Sequence, residues 1–243
     1  MFTHKVTSKS ANRLRNGDVS RTPAIMALGG YTSSTRMRRI FTVLDRLFQD
    51  AHCALAHRNP FELPVATILS AQCTDNRVNQ ITPALFQKYP TPEDFAALQP
   101  EVLEQEIYST GYFRNKARNI TATSRRIVQE YGGRVPTTVE DLLTLPGIAR
   151  KTANVVLGTA YGIASGIVVD THALRVATRR LRLSQAKTPE KVEQDLLKLV
   201  SRKRWIQFSY QFTLFGRNIC TARHPRCPEC PLESICDSSE KTL

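Results

Sequence analysis

The sequence predicts an all-α fold, on three observations. From Met37 onward apolar residues recur at three- and four-residue intervals. Proline and glycine divide the chain into short segments, and no convincing set of alternating strands is present. At 243 residues and 41% hydrophobic content, the chain can form one large domain or two modest ones around a proper core.

Taken in order, residues 1–36 are polar and rich in Ser, Thr and Arg. They carry Lys5, Lys9, Arg13, Arg15, Arg21 and Arg36 against one acid, Asp18, and are expected to form a disordered basic tail. Organelle transit peptides share this composition, so targeting stays open. Ile40, Phe41, Leu44, Leu47 and Phe48 then mark one face of a helix. Similar faces run through 64–70, 78–87, 92–98, 102–108, 116–131 and 188–200, separated by Pro90, Pro100, Gly132-Gly133, Pro136 and Pro146-Gly147.

The formal net charge is +13, from 34 Lys and Arg against 21 Asp and Glu, which favours a polyanionic partner. No uncharged apolar run reaches the roughly 20 residues needed to cross a bilayer. The nearest, 155–169, is broken by Gly158, Gly162 and Gly166 and reads as a buried helix end followed by a loop. No basic start joined to an apolar stretch marks a secretory signal, so a reducing, cytoplasmic setting is expected.

The middle of the chain is the most informative. Thr137 with Glu140 has the spacing of a capping box, with Leu142, Leu143 and Leu145 as the buried side of the helix that follows. Pro146-Gly147 ends that helix, and a second begins near Arg150 with Ala153, Val156 and Leu157 facing inward. A hairpin of this kind presents free amides and a helix dipole to a phosphate oxygen without reading a base. The plain alternative is an αα-hairpin inside a core.

Lys151 lies in the first turn of that second helix, where the dipole disfavours an ammonium, and only the neutral amine is a nucleophile. The competing reading is an unpaired surface lysine. Asp170 precedes Thr171-His-Ala-Leu-Arg-Val, which reads as another helix start; its ordinary role is an N-cap worth about 1 kcal/mol. Capping does not prevent a carboxylate from stabilising developing positive charge or moving protons.

Of six cysteines, Cys53 and Cys73 stand alone and are expected to act as small buried apolar residues. Cys220, Cys227, Cys230 and Cys236 have the spacing C-x6-C-x2-C-x5-C. Four thiolates so placed suit either a zinc ion or an iron–sulfur cluster, and the spacing does not choose between them. Arg223, His224 and Arg226 lie between the first two ligands, where closure of the loop would present their charges to phosphates.

Leu145-Pro-Gly-Ile-Ala-Arg-Lys-Thr-Ala153, followed by Val169-Asp-Thr-His-Ala-Leu-Arg175 and the four cysteines, resembles the endonuclease III family of helix-hairpin-helix DNA glycosylases over residues 37–237. The resemblance implies two all-α lobes with a DNA cleft between them: a helical barrel over 53–163, and a cluster lobe of 37–52 with 164–243. It implies a monomer that acts on double-stranded DNA holding damaged bases or abasic sites in the bacterial nucleoid. Lys151 would attack the sugar and form a Schiff base, Asp170 would assist, and β-elimination would cut the strand after an oxidised pyrimidine is removed. The cysteines would hold a 4Fe–4S cluster. Gly147, Ala149, Arg150, Arg223 and Arg226 would meet DNA. Gln72, in Leu69-Ser-Ala-Gln-Cys-Thr-Asp75, and Tyr112, in Thr110-Gly-Tyr-Phe-Arg-Asn-Lys116, would fill the gap left by an extruded base. Two departures stand out: Ala149 replaces a glycine, and Tyr112 replaces an aliphatic residue. Tyr112 or Phe113 could equally be a core aromatic.

Overall fold

The computed structural model describes residues 33–242, and every regular element among them is helical. The expected tail therefore lies outside the described residues up to position 32. Its last four residues belong instead to α1 (Ser33–Leu47). Arg36 shows why: it is only 7% exposed, pairs with Asp237 at 2.7 Å, and donates to the carbonyls of Leu181 and Ile235. A residue counted as part of a basic tail is thus a buried tie between both ends of the fold.

Two hydrophobic cores form. The first is built from α2 (Glu62–Ser70), α3 (Asp75–Lys88), α4 (Pro92–Ala97), α5 (Pro100–Ile107), α6 (Phe113–Tyr131), α7 (Val139–Thr144) and α8 (Arg150–Tyr161). Its largest buried side chains include Phe95, Leu63, Leu69, Leu103, Ile107, Ile120 and Ile127. The second combines α1 with α9 (Thr171–Arg175), a π-helical turn at Val176–Arg180, α10 (Pro189–Leu199) and α11 (Trp205–Asn218). Phe208, Phe212 and Phe215 sit at its centre, and no residue of one cluster belongs to the other.

Four helices, α3, α4, α7 and α9, start at a side-chain cap. Thr74 accepts from the Arg77 amide, Thr91 and Asp94 cap reciprocally, and Thr138 accepts from Asp141. The last pair corrects the expected Thr137–Glu140 box by one residue. Leu143 is also a correction: it is 45% exposed, because a six-residue helix buries one narrow face and Leu142 takes it, while Leu145, buried at the helix end, completes the apolar contact. The sequence reading had no counterpart of α11, although Phe208, Phe212 and Phe215 recur four and three residues apart.

The two cores are joined by polar struts. Glu193 on α10 is buried and accepts from Arg150 at 2.8 and 3.2 Å and from Asn154 at 2.9 Å, both on α8. Ser165 donates to the other end of Asn154. Gly166 is required beside them, since a Cβ there would lie 2.1 Å from the Glu193 carboxylate. Arg217 at the end of α11 pairs with Asp75 at the start of α3 (2.7 Å), and Tyr210 of α11 hydrogen-bonds Thr159 of α8. Breaking a buried ion pair leaves an uncompensated charge. We therefore expect Glu193→Ala to lower unfolding stability by about 3–5 kcal/mol, read by denaturant titration, with Glu193→Gln losing less because its amide oxygen still accepts.

Candidate DNA-binding and catalytic site

The hairpin closes between α7 and α8. Thr123 of α6 donates to the Pro146 carbonyl (2.6 Å) and Arg126 to that of Thr144 (2.6 Å), while Ile148 is buried as its apolar anchor. Gly147 takes φ +79°, a conformation that favours glycine, and a Cβ would press on Asn119 at 3.0 Å. Ala149, by contrast, sits at φ −94°, ψ 170°, which any residue adopts. The methyl at this departure from the family pattern therefore costs no backbone strain.

Ala149 is the N-cap of α8 and has no side-chain oxygen to offer its amides, so the helix start is exposed without a side-chain cap. Lys151, one residue inside, is exposed and makes no hydrogen bond or ion pair among the described residues. Arg150 has a role that the motif did not show: its guanidinium is held by Glu193 through Nε and Nη2, which makes it the strut described above, while its side chain stays one-third exposed. Burial against a carboxylate of high sequence separation could not be read from the motif.

Asp170 caps α9, accepting from the Ala173 amide at 2.8 Å, and is half-buried. The far end of the same short helix carries Arg175, which donates to the carbonyls of Gly216 and Cys220 at 2.7 and 2.8 Å. One helix thus runs from the acid to the first of the clustered cysteines. His172 between them is packed under Gly216, and burial lowers its pKa.

All six cysteines are free thiols. Cys53 and Cys73 are half-buried against the first core. Cys220, Cys227, Cys230 and Cys236 line one pocket, together with Leu181, Phe215 and Leu232. No group of three or more His, Cys, Asp or Glu among the described residues is arranged to hold a single metal ion. Burial raises the Cys220 thiol to about 11 and pushes Cys230 up, with Arg180 opposing the shift at Cys220. An all-sulfur donor set in an apolar, cation-flanked pocket fits an iron–sulfur group, which would bind the thiolates. Arg223 and Arg226 are exposed on the same loop, and Arg226 also lines the pocket.

Gln72 and Tyr112 occupy two exposed tips. Both have left-handed backbones, at φ +52° and +48°, and Arg182 is the other non-glycine residue of this kind among those described. Tyr112 is 63% exposed, whereas Phe113 packs on the first core and against Tyr108 at 4.7 Å. Phe113 is therefore the core aromatic of the pair. Lys116, which the sequence reading passed over, is buried between the two tips.

Comparisons with known proteins agree with this arrangement. Residues 65–202 match the HhH-GPD superfamily of base excision DNA repair proteins, and residues 220–236 match the iron–sulfur binding domain of endonuclease III. Endonuclease III of Synechocystis sp. is 49% identical over 205 residues, covering 84% of this chain and 93% of that relative. Two solved structures, a non-covalent endonuclease III–DNA complex and a trapped endonuclease III–DNA covalent intermediate, each align with a TM-score of 0.81 at 44% identity. Each alignment covers 85% of this chain and 96% of the other. No helix among the described residues is long and apolar enough to cross a membrane. With its hairpin, its four-cysteine loop and a near full-length match, the chain belongs to the endonuclease III family of iron–sulfur DNA glycosylases of base excision repair.

Proposed function

We propose that the protein is a bifunctional glycosylase and abasic-site lyase that removes oxidised pyrimidines from duplex DNA. The observation that carries this reading is the free amine of Lys151, exposed on the first turn of a helix whose start lacks a side-chain cap. Lysines held by ion pairs or carbonyls, such as Lys116, cannot supply a nucleophile without breaking those contacts. A trapped covalent intermediate is described for a relative at 44% identity, which supports covalent chemistry here.

In this reading the DNA lies between the lobe of 53–163 and the lobe of 37–52 with 164–243, a division supported by the two separate cores. The amides after Gly147, at Ala149 and Arg150, take a phosphate, and Arg223 and Arg226 take others. Gln72 and Tyr112 enter the stack as the damaged nucleotide leaves, at a cost of a few kcal/mol. Lys151 Nζ attacks C1′ as the bond to the base breaks, and the base departs with a proton. Asp170 stabilises the developing positive charge and assists the proton transfers. Ring opening leaves a Schiff base on Lys151. Loss of a C2′ proton then expels the 3′ phosphate, and water releases the lysine.

Cys220, Cys227, Cys230 and Cys236 hold a 4Fe–4S cluster in this proposal, and its chemistry when bound is that of a structural cross-link which fixes the basic loop. The protein works as a monomer on the bacterial chromosome.

Lys151→Gln is expected to abolish borohydride trapping on thymine glycol and abasic duplexes; persistent trapping would identify another nucleophile. Asp170→Asn should keep the cap yet lower base removal by about 100-fold or more, measured in single turnover. Purified protein should contain about four irons per chain with broad visible absorption. Stoichiometric zinc would replace the cluster assignment.

A further inference from the structure

Lys116 is 4% exposed, and no carboxylate among the described residues pairs with it. Its ammonium donates to the carbonyl of Leu69 at 2.7 Å and to that of Thr110 at 2.9 Å. Both acceptors are helix-end carbonyls. Leu69 lies in the last turn of α2, three residues before Gln72. Thr110 closes the turn Tyr108–Thr110, two residues before Tyr112. The backbone amides nearby are already used, Cys73 N on Ser70 O and Gly111 N on Tyr108 O, so the lysine supplies what the backbone does not. Burial lowers the pKa of this lysine, and Cys73, next to Gln72, is the group that opposes the shift. Such a cation is costly to bury and is satisfied here by two carbonyls only.

Gln72 and Tyr112 both hold left-handed backbone angles that non-glycine residues adopt reluctantly. Such strain persists only where the surroundings over-determine the conformation. The two tips come from separate segments 40 positions apart, and Lys116 reaches the chain just ahead of each.

We propose that Lys116 is a positioning residue that locks the Gln72 and Tyr112 tips into one wedge of fixed separation. It touches neither the substrate nor the reacting atoms. Its effect is on opening the stack, and the inference rests on the wedge reading given above for these two residues. The contribution should therefore scale with how much stacking must be broken, and vanish where none is.

The test compares two substrates at saturating enzyme. One holds an abasic site in a fully paired duplex with G·C neighbours, and the other holds the same site in an unpaired bulge. Lys116→Met keeps the volume and removes both hydrogen bonds. It is expected to lose about tenfold or more in rate on the paired duplex and less than about threefold on the bulge. Lys116→Gln, which retains an amide donor, should recover part of the loss on the paired duplex. Equal losses on both substrates, or none on either, would overturn the proposal. If Lys116→Met does not fold, the Gln variant is read by the same ratio. Tyr112→Ala and Gln72→Ala on the same pair separate the two levels of the argument. If neither shows a loss confined to the paired duplex, the wedge reading fails. If they do and the Lys116 variants do not, Lys116 alone is excluded.

Discussion

The carboxylate of Glu193, buried between two hydrophobic cores, is the most thoroughly desolvated of the polar contacts that tie the lobes together. Lys151 is borne by a helix of the first core, whereas Asp170 lies against the second. Neither core contains the other's fully buried residues, and the contacts between them combine polar struts with limited apolar packing, such as Val168 on the first core. Glu193 contributes by reaching from α10 to Arg150 and Asn154, which flank Lys151 on α8. The chain returning from α8 toward Asp170 passes the same carboxylate at Gly166, where only hydrogen fits. A charge desolvated this thoroughly tolerates little displacement, because each lost bond leaves part of it uncompensated.

The charge surplus divides by environment. Arg36, Lys116, Arg150 and Arg180 are drawn inside or into struts, where their donors satisfy carbonyls and carboxylates. Lys151, Arg223 and Arg226 remain exposed. Lys116 and Lys151 are the same residue type, separated by what surrounds the amine: two carbonyls in one case, an open surface in the other. The net charge therefore reports a polyanionic partner without saying which cations meet it.

Helix ends carry much of the remaining design. Asp170 spends one carboxylate oxygen on its own helix start, and the opposite end of that helix, through Arg175, grips the carbonyls beside Cys220. A helix of five residues thus links the acid to the start of the cysteine loop. At α8 the contrary choice was made: alanine at the N-cap leaves the amides unspent. Threonine or aspartate side chains close the starts of α3, α4, α7 and α9, whereas the start of α8 offers its amides with no side-chain acceptor.

What the sequence determined by itself is whatever is encoded over a few residues. Helical periodicity, the Pro146-Gly147 break, the Asp170 cap and the spacing of the four cysteines are all local, and each was legible. Local patterns also misled by small steps, as at Thr138 and Leu143, where a one-residue shift or a short helix changes which side chain faces in. Tertiary structure alone decided that Arg36 is an anchor, that Arg150 is a strut, that Tyr112 projects while Phe113 packs, and that Lys116 joins two distant tips. Those outcomes depend on partners as distant as Asp237 is from Arg36, 201 positions away. Desolvation and hydrogen-bond satisfaction at such contacts are properties of the assembled fold, and no short window of sequence contains them.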